Sequence, residues 1–267
     1  MTKRAVTYST YLAIDEVLAA QRPLSMGRDG LPEHDEMLFI VIHQVYELWF
    51  KQLLHELAEV QRTLEEGQTD TTLHLLNRVL KILKTLVAQV DVLETMTPLQ
   101  LLSFRDRLES ASGFQSAQFR EVEAVLGKRE GSAAAAQPEG SPARARIEAA
   151  QARRSVWGSF LQYLAARGHS LADDVLARDV TLPPAPDERV QVVLVAVYRA
   201  DSDAALVAER FVDLDEGVQE WRYRHVKMVE RTIGTKRGTG GSAGVEYLRS
   251  TLFQPVFPDL WEIRGRL

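Results

Sequence analysis

Six histidines punctuate the 267-residue chain, and two of them stand where an aliphatic residue would be expected. His225 falls in the series Phe211, Leu214, Val218, Trp221, His225, Met228, Thr232, which advances by alternating steps of three and four. That is the spacing of one helix face packed on another helix. His43 lies one to two turns from Phe39, Tyr46 and Phe50, and the run Met37 to Ile42 before it is apolar on every side, which predicts burial. A buried imidazole costs about 1–3 kcal/mol for each ring nitrogen left unpaired. A neighbouring side chain or carbonyl ordinarily supplies the partner. Two such histidines on two long helices also admit a shared ligand. In a chain without cysteine, haem is the natural candidate, being large, planar and apolar, fitting between helices and needing one axial imidazole. Zinc would want a third ligand close by. His43 and His55 project about 120° apart around a helix, and no HExxH is present.

Three other polar features bear on chemistry. Arg105 follows Phe104 in a helix whose apolar face is Leu101, Leu102 and Leu108. There it can clamp a carboxylate bidentately or pair on the surface with Asp106 or Glu109. Gly238-Thr239-Gly240-Gly241-Ser242-Ala243 has the spelling of a dinucleotide-binding turn, with Asp259 about 20 residues beyond. That motif should follow a strand and open a helix, and here a long helix precedes it. It reads instead as a flexible loop or as a lid whose Thr239 hydroxyl meets a ligand. Lys236 and Arg237 beside it suit propionates, a phosphate or plain solvent. Tyr8 and Tyr11, ahead of the first helices, pack either within the terminus or on a neighbouring subunit.

The elements that must position these groups are helices. Tyr11 to Leu18 is a short one, and His34 to Glu66 a long one stopped by Gly67. Leu73, Leu76, Leu80, Leu83, Val87 and Val90 form a second seam over about three heptads. Thr97-Pro98-Leu99-Gln100 spells a capping box with proline at the first helical position. Phe114 to Leu126 and Val156 to Arg167 are further helices. Residues 128–154 read as a mobile connection or a poorly packed helix pair, and Thr181 to Pro186 as a rigid linker. Val190 to Val197 has strand propensity, but a lone strand would lack a partner, so a buried helix is expected. The fold class is all-α, in one domain over 1–267.

Composition narrows the function classes. Hydrophobic residues make up 45% and charged residues 26%, an ordinary globular mix. The net charge of −5 argues against a general nucleic-acid binder. The absence of cysteine excludes disulfide scaffolds, thiolate metal sites and thiol nucleophiles. No signal-peptide pattern and no apolar run of membrane-spanning length is visible, so a soluble cytoplasmic protein is expected.

These residues also fall into blocks. They are Tyr8-Ser9-Thr10-Tyr11-Leu12; His34 to Ile40 through His43; Glu47-Leu48-Trp49-Phe50-Lys51; Leu93 to Pro98; Phe104-Arg105-Asp106; Ser112 to Ser116; Trp221 to His225; and Lys236 to Ser242. In that order the chain resembles the haem-dependent tryptophan 2,3-dioxygenases. The resemblance implies a helical bundle enclosing a b-type haem between long helices, usually a homotetramer built as a dimer of dimers. It implies His225 as the proximal iron ligand and His43 as the distal histidine beside the indole N–H. Arg105 would meet the substrate carboxylate, Thr239 its ammonium group, and Phe39 the indole ring. Tyr8, Tyr11 and Leu12 would reach a neighbouring subunit's pocket, and Ser112 and Gly113 would line the haem edge. The implied reaction is cleavage of the indole C2–C3 bond of L-tryptophan by O2, giving N-formyl-L-kynurenine.

Four departures stand against the family pattern. Leu101 and Thr235 replace residues that are usually aromatic, Leu101 beside the substrate. Glu220 precedes Trp221 where an apolar residue is usual, and Arg199 to Val212 is short. The alternative is a haem enzyme of secondary metabolism that inserts one oxygen into a substituted tryptophan to give a 2-oxindole. A haem sensor or carrier would not need Arg105 or Thr239, and a cofactor-free bundle would not bind haem.

Overall fold

A computed structural model describes residues 6–27, 29–108, 115–234, 236 and 245–267, and among them every regular element is helical. The helices are α1 (Tyr8–Leu12), α2 (Ile14–Leu18), α3 (His34–Glu65), α4 (Thr69–Leu93), α5 (Pro98–Arg105), α6 (Ala117–Leu126) and α7 (Gly131–Ala135). They continue with α8 (Pro142–Gln151), α9 (Val156–Ala166), α10 (Asp173–Leu176), α11 (Glu188–Ala200), α12 (Ser202–Ile233), α13 (Val245–Ser250) and α14 (Pro258–Glu262).

The framework is α3, α4 and α12, with α4 packed between the other two. Local sequence sets their ends. Gly67 takes φ 70°, a left-handed conformation open to glycine, and its N–H reaches back to Leu64 O at 3.0 Å while that of Gln68 reaches Thr63 O at 2.8 Å. This closes α3 with its last carbonyls satisfied. The expected capping box of α5 is formed, the Thr97 N–H donating to Gln100 Oε1 at 2.8 Å. Asp201 caps α12, accepting the Ala204 N–H, and is gripped in turn by Arg167 at 2.7 Å and His169 at 3.1 Å. Those bonds hold the Asp201 carboxyl far below its ordinary value, the Arg167 contact being the strongest.

The α4 seam is realised. Leu76, Leu83, Val87 and Val90 are buried, and Leu73 and Leu80 pack at the margin of the core. The main core closes on an aromatic knot of Trp157, Phe160, Phe211 and Phe257, with the Phe160 and Phe211 rings stacked at 4.8 Å. Asp215, fully buried on α12, pins the C-terminal segment there. It accepts the N–H groups of Val256 (2.8 Å) and Phe257 (2.9 Å) and the Trp261 indole N–H (2.9 Å).

One expectation is resolved in favour of its helix-pair alternative, and one changes, on contact with the structure. Residues 128–154 contain α7 and α8, and α8 packs Ile147 and Ala150 into the interior against α6. The front of α3 is not buried all round, because Met37 and Val41 are 42% and 39% exposed. In a single chain only one side of that apolar segment meets the fold, chiefly through Ile42, Leu38 and Phe39. Val190 to Val197 lies in α11, whose inner face Val190, Leu194 and Val197 is buried; tertiary packing overrides its strand propensity.

Candidate functional site

Past Val218 the α12 seam leaves the packed core and borders a cavity. Its described wall includes Phe39, His43, Tyr46 and Glu47 of α3, Leu101 and Arg105 of α5, Phe119, Arg120 and Glu123 of α6, and Trp221, Arg222, His225 and Met228 of α12. Five residues singled out from sequence therefore meet on one space, namely Phe39, His43, Leu101, Arg105 and His225. Thr239, Ser112, Gly113 and Thr235 lie outside the described residues. Tyr8, Tyr11 and Leu12 sit on α1, the two tyrosines 76% and 77% exposed, and they line no part of this chain's described cavity. Glu220 points away from the cavity and pairs with Lys84 of α4, so this departure is a surface ion pair.

His225 is positioned by stacking. Its ring lies parallel to Trp221, centroids 5.2 Å apart and planes 4° apart. Trp221 is wedged against Phe119 at 4.7 Å and Phe50 at 6.2 Å, so one helical turn of α12 fixes the imidazole plane. Burial pushes His225 down to about 4, with the charges of His43 and Arg120 adding to it. It is neutral at physiological pH, and its nitrogens have no hydrogen-bond partner among the described residues.

His43 differs. Its Nδ1 lies 2.7 Å from the Phe39 carbonyl one turn back. A carbonyl only accepts, so Nδ1 carries the proton. Burial lowers His43, against the opposing effects of that bond and the Glu47 charge. The neutral ring therefore leaves Nε2 as a free lone pair, an acceptor. The Phe39 ring flanks it at 4.1 Å and meets Phe104 at 5.6 Å, which ties the distal wall to α5. Ser103 donates to Glu33 Oε2 at 2.9 Å, joining α5 to the residue that precedes α3 and holding Leu101 and Arg105 alongside Phe39.

Other wall residues were not legible from sequence. Glu47 stands one turn beyond His43, accepting from Ser116 Oγ at 2.5 Å and Gln118 Nε2 at 2.8 Å, which docks the start of α6. Glu123 is buried with Arg120 (2.6 Å), Arg222 (3.0 Å) and Lys128 (3.3 Å) around it. Burial pushes its carboxyl up, but the three cations outweigh that and hold it below the ordinary range. Arg120 and Arg222 stand beside the cavity at this carboxylate, while Lys128 is shared with Glu130 at 3.1 Å. The Trp221 indole N–H is buried there beside the Tyr46 hydroxyl, without a well-formed hydrogen bond among the described residues. The spacing of Arg120 and Glu123, three apart on α6, was the one available signal.

The same residues can be set beside known proteins. The family model described as tryptophan 2,3-dioxygenase matches residues 1–137 and 185–267. A tryptophan 2,3-dioxygenase of Anaeromyxobacter sp. (strain K) is 62% identical over 263 residues, covering 98% of this chain and 97% of the relative. That of Herpetosiphon aurantiacus is 53% identical with 99% of both covered. That of Bacillus anthracis is 40% identical over 99% of this chain and 94% of the relative. The blocks that carried the resemblance, the shared helical seams and the cavity with its two histidines agree with a match along nearly the whole length, and the chain belongs to the tryptophan 2,3-dioxygenase family.

Proposed function

We propose that the chain, as one domain, is a haem-dependent enzyme that cleaves the indole C2–C3 bond of L-tryptophan with O2 to give N-formyl-L-kynurenine. We infer further that it works in the cytoplasm as a homotetramer, with Tyr8, Tyr11 and Leu12 of one subunit reaching another's pocket. The observation that carries the reading is the pair of neutral histidines on one cavity wall, each with a nitrogen lone pair to give.

The residues present fit haem b. His225 is a neutral imidazole without a competing hydrogen bond, its plane fixed by Trp221. The guanidinium groups of Arg120 and Arg222, held at Glu123 on the cavity wall, suit a group with two carboxylates. His225 would hold the iron, and Ser112 and Gly113 would line the ring's edge. Bound haem supplies the activation of O2.

The protein's part is placement. Arg105 takes the substrate carboxylate as a charge-assisted pair, and Thr239 takes the ammonium group. The indole ring lies against Phe39, with Leu101 beside it. His43 Nε2 accepts the indole N–H, which aims the electron-rich C2–C3 edge at the reacting centre without a separate base. The apolar wall of Phe39, Leu101 and Met228 excludes water. This is catalysis by positioning, in which a fixed geometry replaces a rare encounter.

The deciding experiment supplies L-tryptophan and 18-O2 to reduced, haem-loaded protein and reads the product mass. Two labelled atoms with the C2–C3 bond broken are expected. One labelled atom, or turnover only with a substituted tryptophan, would establish the 2-oxindole reaction instead.

A further inference from the structure

Arg222 borders the same cavity as the two histidines, and the placement of tryptophan does not use it. It lies on α12 three residues before His225, so the two side chains are neighbours about one turn apart. It is buried, at 8% exposure. Burying a guanidinium is costly unless charge and hydrogen bonds compensate, and here the compensation is partial. Glu123 of α6 accepts from Nη2 at 3.0 Å, and the Gln254 carbonyl accepts from Nη1 at 3.5 Å. Two of the five N–H donors are thereby used, and no other acceptor for them stands among the described residues. Nor does Arg222 have its carboxylate to itself. Arg120 donates to Glu123 Oε2 at 2.6 Å, and Lys128 lies 3.3 Å from Oε1.

The side chain is aimed from two directions. Glu123 holds it from α6. Gln254 belongs to the C-terminal segment, which Asp215 pins by accepting the N–H groups of Val256 and Phe257. Arg222 is thus set in place by the protein alone. Haem carries its two carboxylates on chains at the edge of the ring, so whatever holds one must stand to one side of the axial ligand. A residue one turn from His225 meets that condition. Arg120 is near enough to His225 for its charge to help lower that imidazole, so the Glu123 cluster and the proximal ring share one electrostatic neighbourhood.

Resting on the haem reading above, we propose that Arg222, aimed by Glu123, holds one haem propionate, and that these two opposite charges shift the reduction potential of the bound iron in opposite directions. Buried charges act strongly because little solvent screens them. A cation beside the ring disfavours the more positive ferric state and raises the potential, and an anion lowers it. Glu123 is then a positioning residue that acts through Arg222 and a counterweight to it.

The test reconstitutes the full haem-free chain with haem b and, separately, with haem b dimethyl ester, in which both carboxylates are neutral. Soret titrations give the two affinities, and a dye-mediated redox titration gives the potential of the haem b form. The parent should prefer haem b over the ester by at least about tenfold, and Arg222→Gln should remove most of that preference, the loss of one charge-assisted pair. Glu123 keeps Arg120 and Lys128 in that variant, so the fold has no buried charge left alone. The potential should fall in Arg222→Gln and rise in Glu123→Gln. A merely structural disturbance of the pocket would move both the same way. Should Glu123→Gln fail to fold, Arg222→Lys decides: it keeps the charge, so the potential should return toward the parent's, while the preference for haem b, which needs the guanidinium fork, recovers only in part. An unchanged preference in Arg222→Gln, or potentials that move together or not at all, would overturn the proposal. Equal affinity of the parent for the two porphyrins would overturn it and leave the haem reading standing, whereas a parent that binds neither would bring down both.

Discussion

Between Ser202 and Val218, α12 presents Phe211, Leu214 and Val218 to a filled core, while between Trp221 and Thr232 the same seam presents Trp221, His225, Met228 and Thr232 to a cavity. The periodicity is continuous and the environment is not. In the first half each side chain meets partners from α4, α9 and the C-terminal segment, and Phe211 touches Trp157, Phe160 and Phe257. In the second half the facing elements stand back, and the aromatic stack of Phe50, Phe119 and Trp221 bridges the change. Spacing reports which face of a helix turns inward. Residue type reports whether that face is filled: branched aliphatics and phenylalanine close a core, whereas histidine, methionine and threonine border a space kept for something else.

The sharpest way to break the comparison is to truncate one residue in each half. Phe211→Ala should cost about 3–5 kcal/mol of stability, the range for deleting a buried phenylalanine, with haem affinity per folded molecule unchanged. His225→Ala should do the reverse. It should abolish the Soret band of haem-reconstituted protein and leave the urea midpoint of the haem-free chain at or above the parent's, since it removes a buried polar ring. Full haem occupancy in the His225 variant would sink the ligand assignment.

Much of this was legible in the sequence, for a physical reason. The seams of α4 and α12, the stop at Gly67 and the cap at Thr97 are local patterns, and local hydrogen bonding with side-chain periodicity suffices to form them. The two histidines stood out because they broke an apolar series. What stayed hidden depends on contacts distant in sequence. Glu123 becomes a buried charge cluster only when Arg222, 99 residues away, folds beside it. Asp215 reads as an ordinary polar residue until the C-terminal segment brings its donors from more than 40 residues on. The exposed side of Met37 and Val41 could not be foreseen either, because an apolar run does not say how many of its sides will be covered.

Acid should act on the open half first. In the haem-free protein His225 falls from 6.5 to about 4, so the unfolded chain binds a proton that the folded chain refuses. Stability is therefore intact above about 6.5 and lost as pH drops toward 4, by on the order of 3 kcal/mol for this residue. His43, also lowered by burial, adds to the same slope. Urea midpoints measured across this window should show the loss, and His225→Ala should flatten most of it. A smaller effect belongs to Arg105. Arg105→Ala should raise KM for L-tryptophan about 10- to 100-fold, the loss of one charge-assisted pair, with haem binding and urea stability unchanged. If kcat fell while KM held, Arg105 would be acting on the reaction and not on the carboxylate.

The smallest effect is the most discriminating. Met228 and Leu214 occupy equivalent positions of one seam, 14 residues apart on α12. Truncating a well-packed leucine costs about 2–5 kcal/mol, because the hole it leaves cannot collapse. Met228 packs on the smaller core cluster on one side but already borders a cavity on the other, so its removal enlarges a space without creating one. Met228→Ala should therefore cost less than about 1 kcal/mol in the haem-free chain, against at least 2 for Leu214→Ala. Adding haem should widen the gap between Met228→Ala and its parent, because the methionine then gains a surface to pack on. Equal costs for the two variants in the haem-free chain would mean that the second half of α12 is as tightly packed as the first, and the division of this helix into a structural and a ligand-facing part would fall.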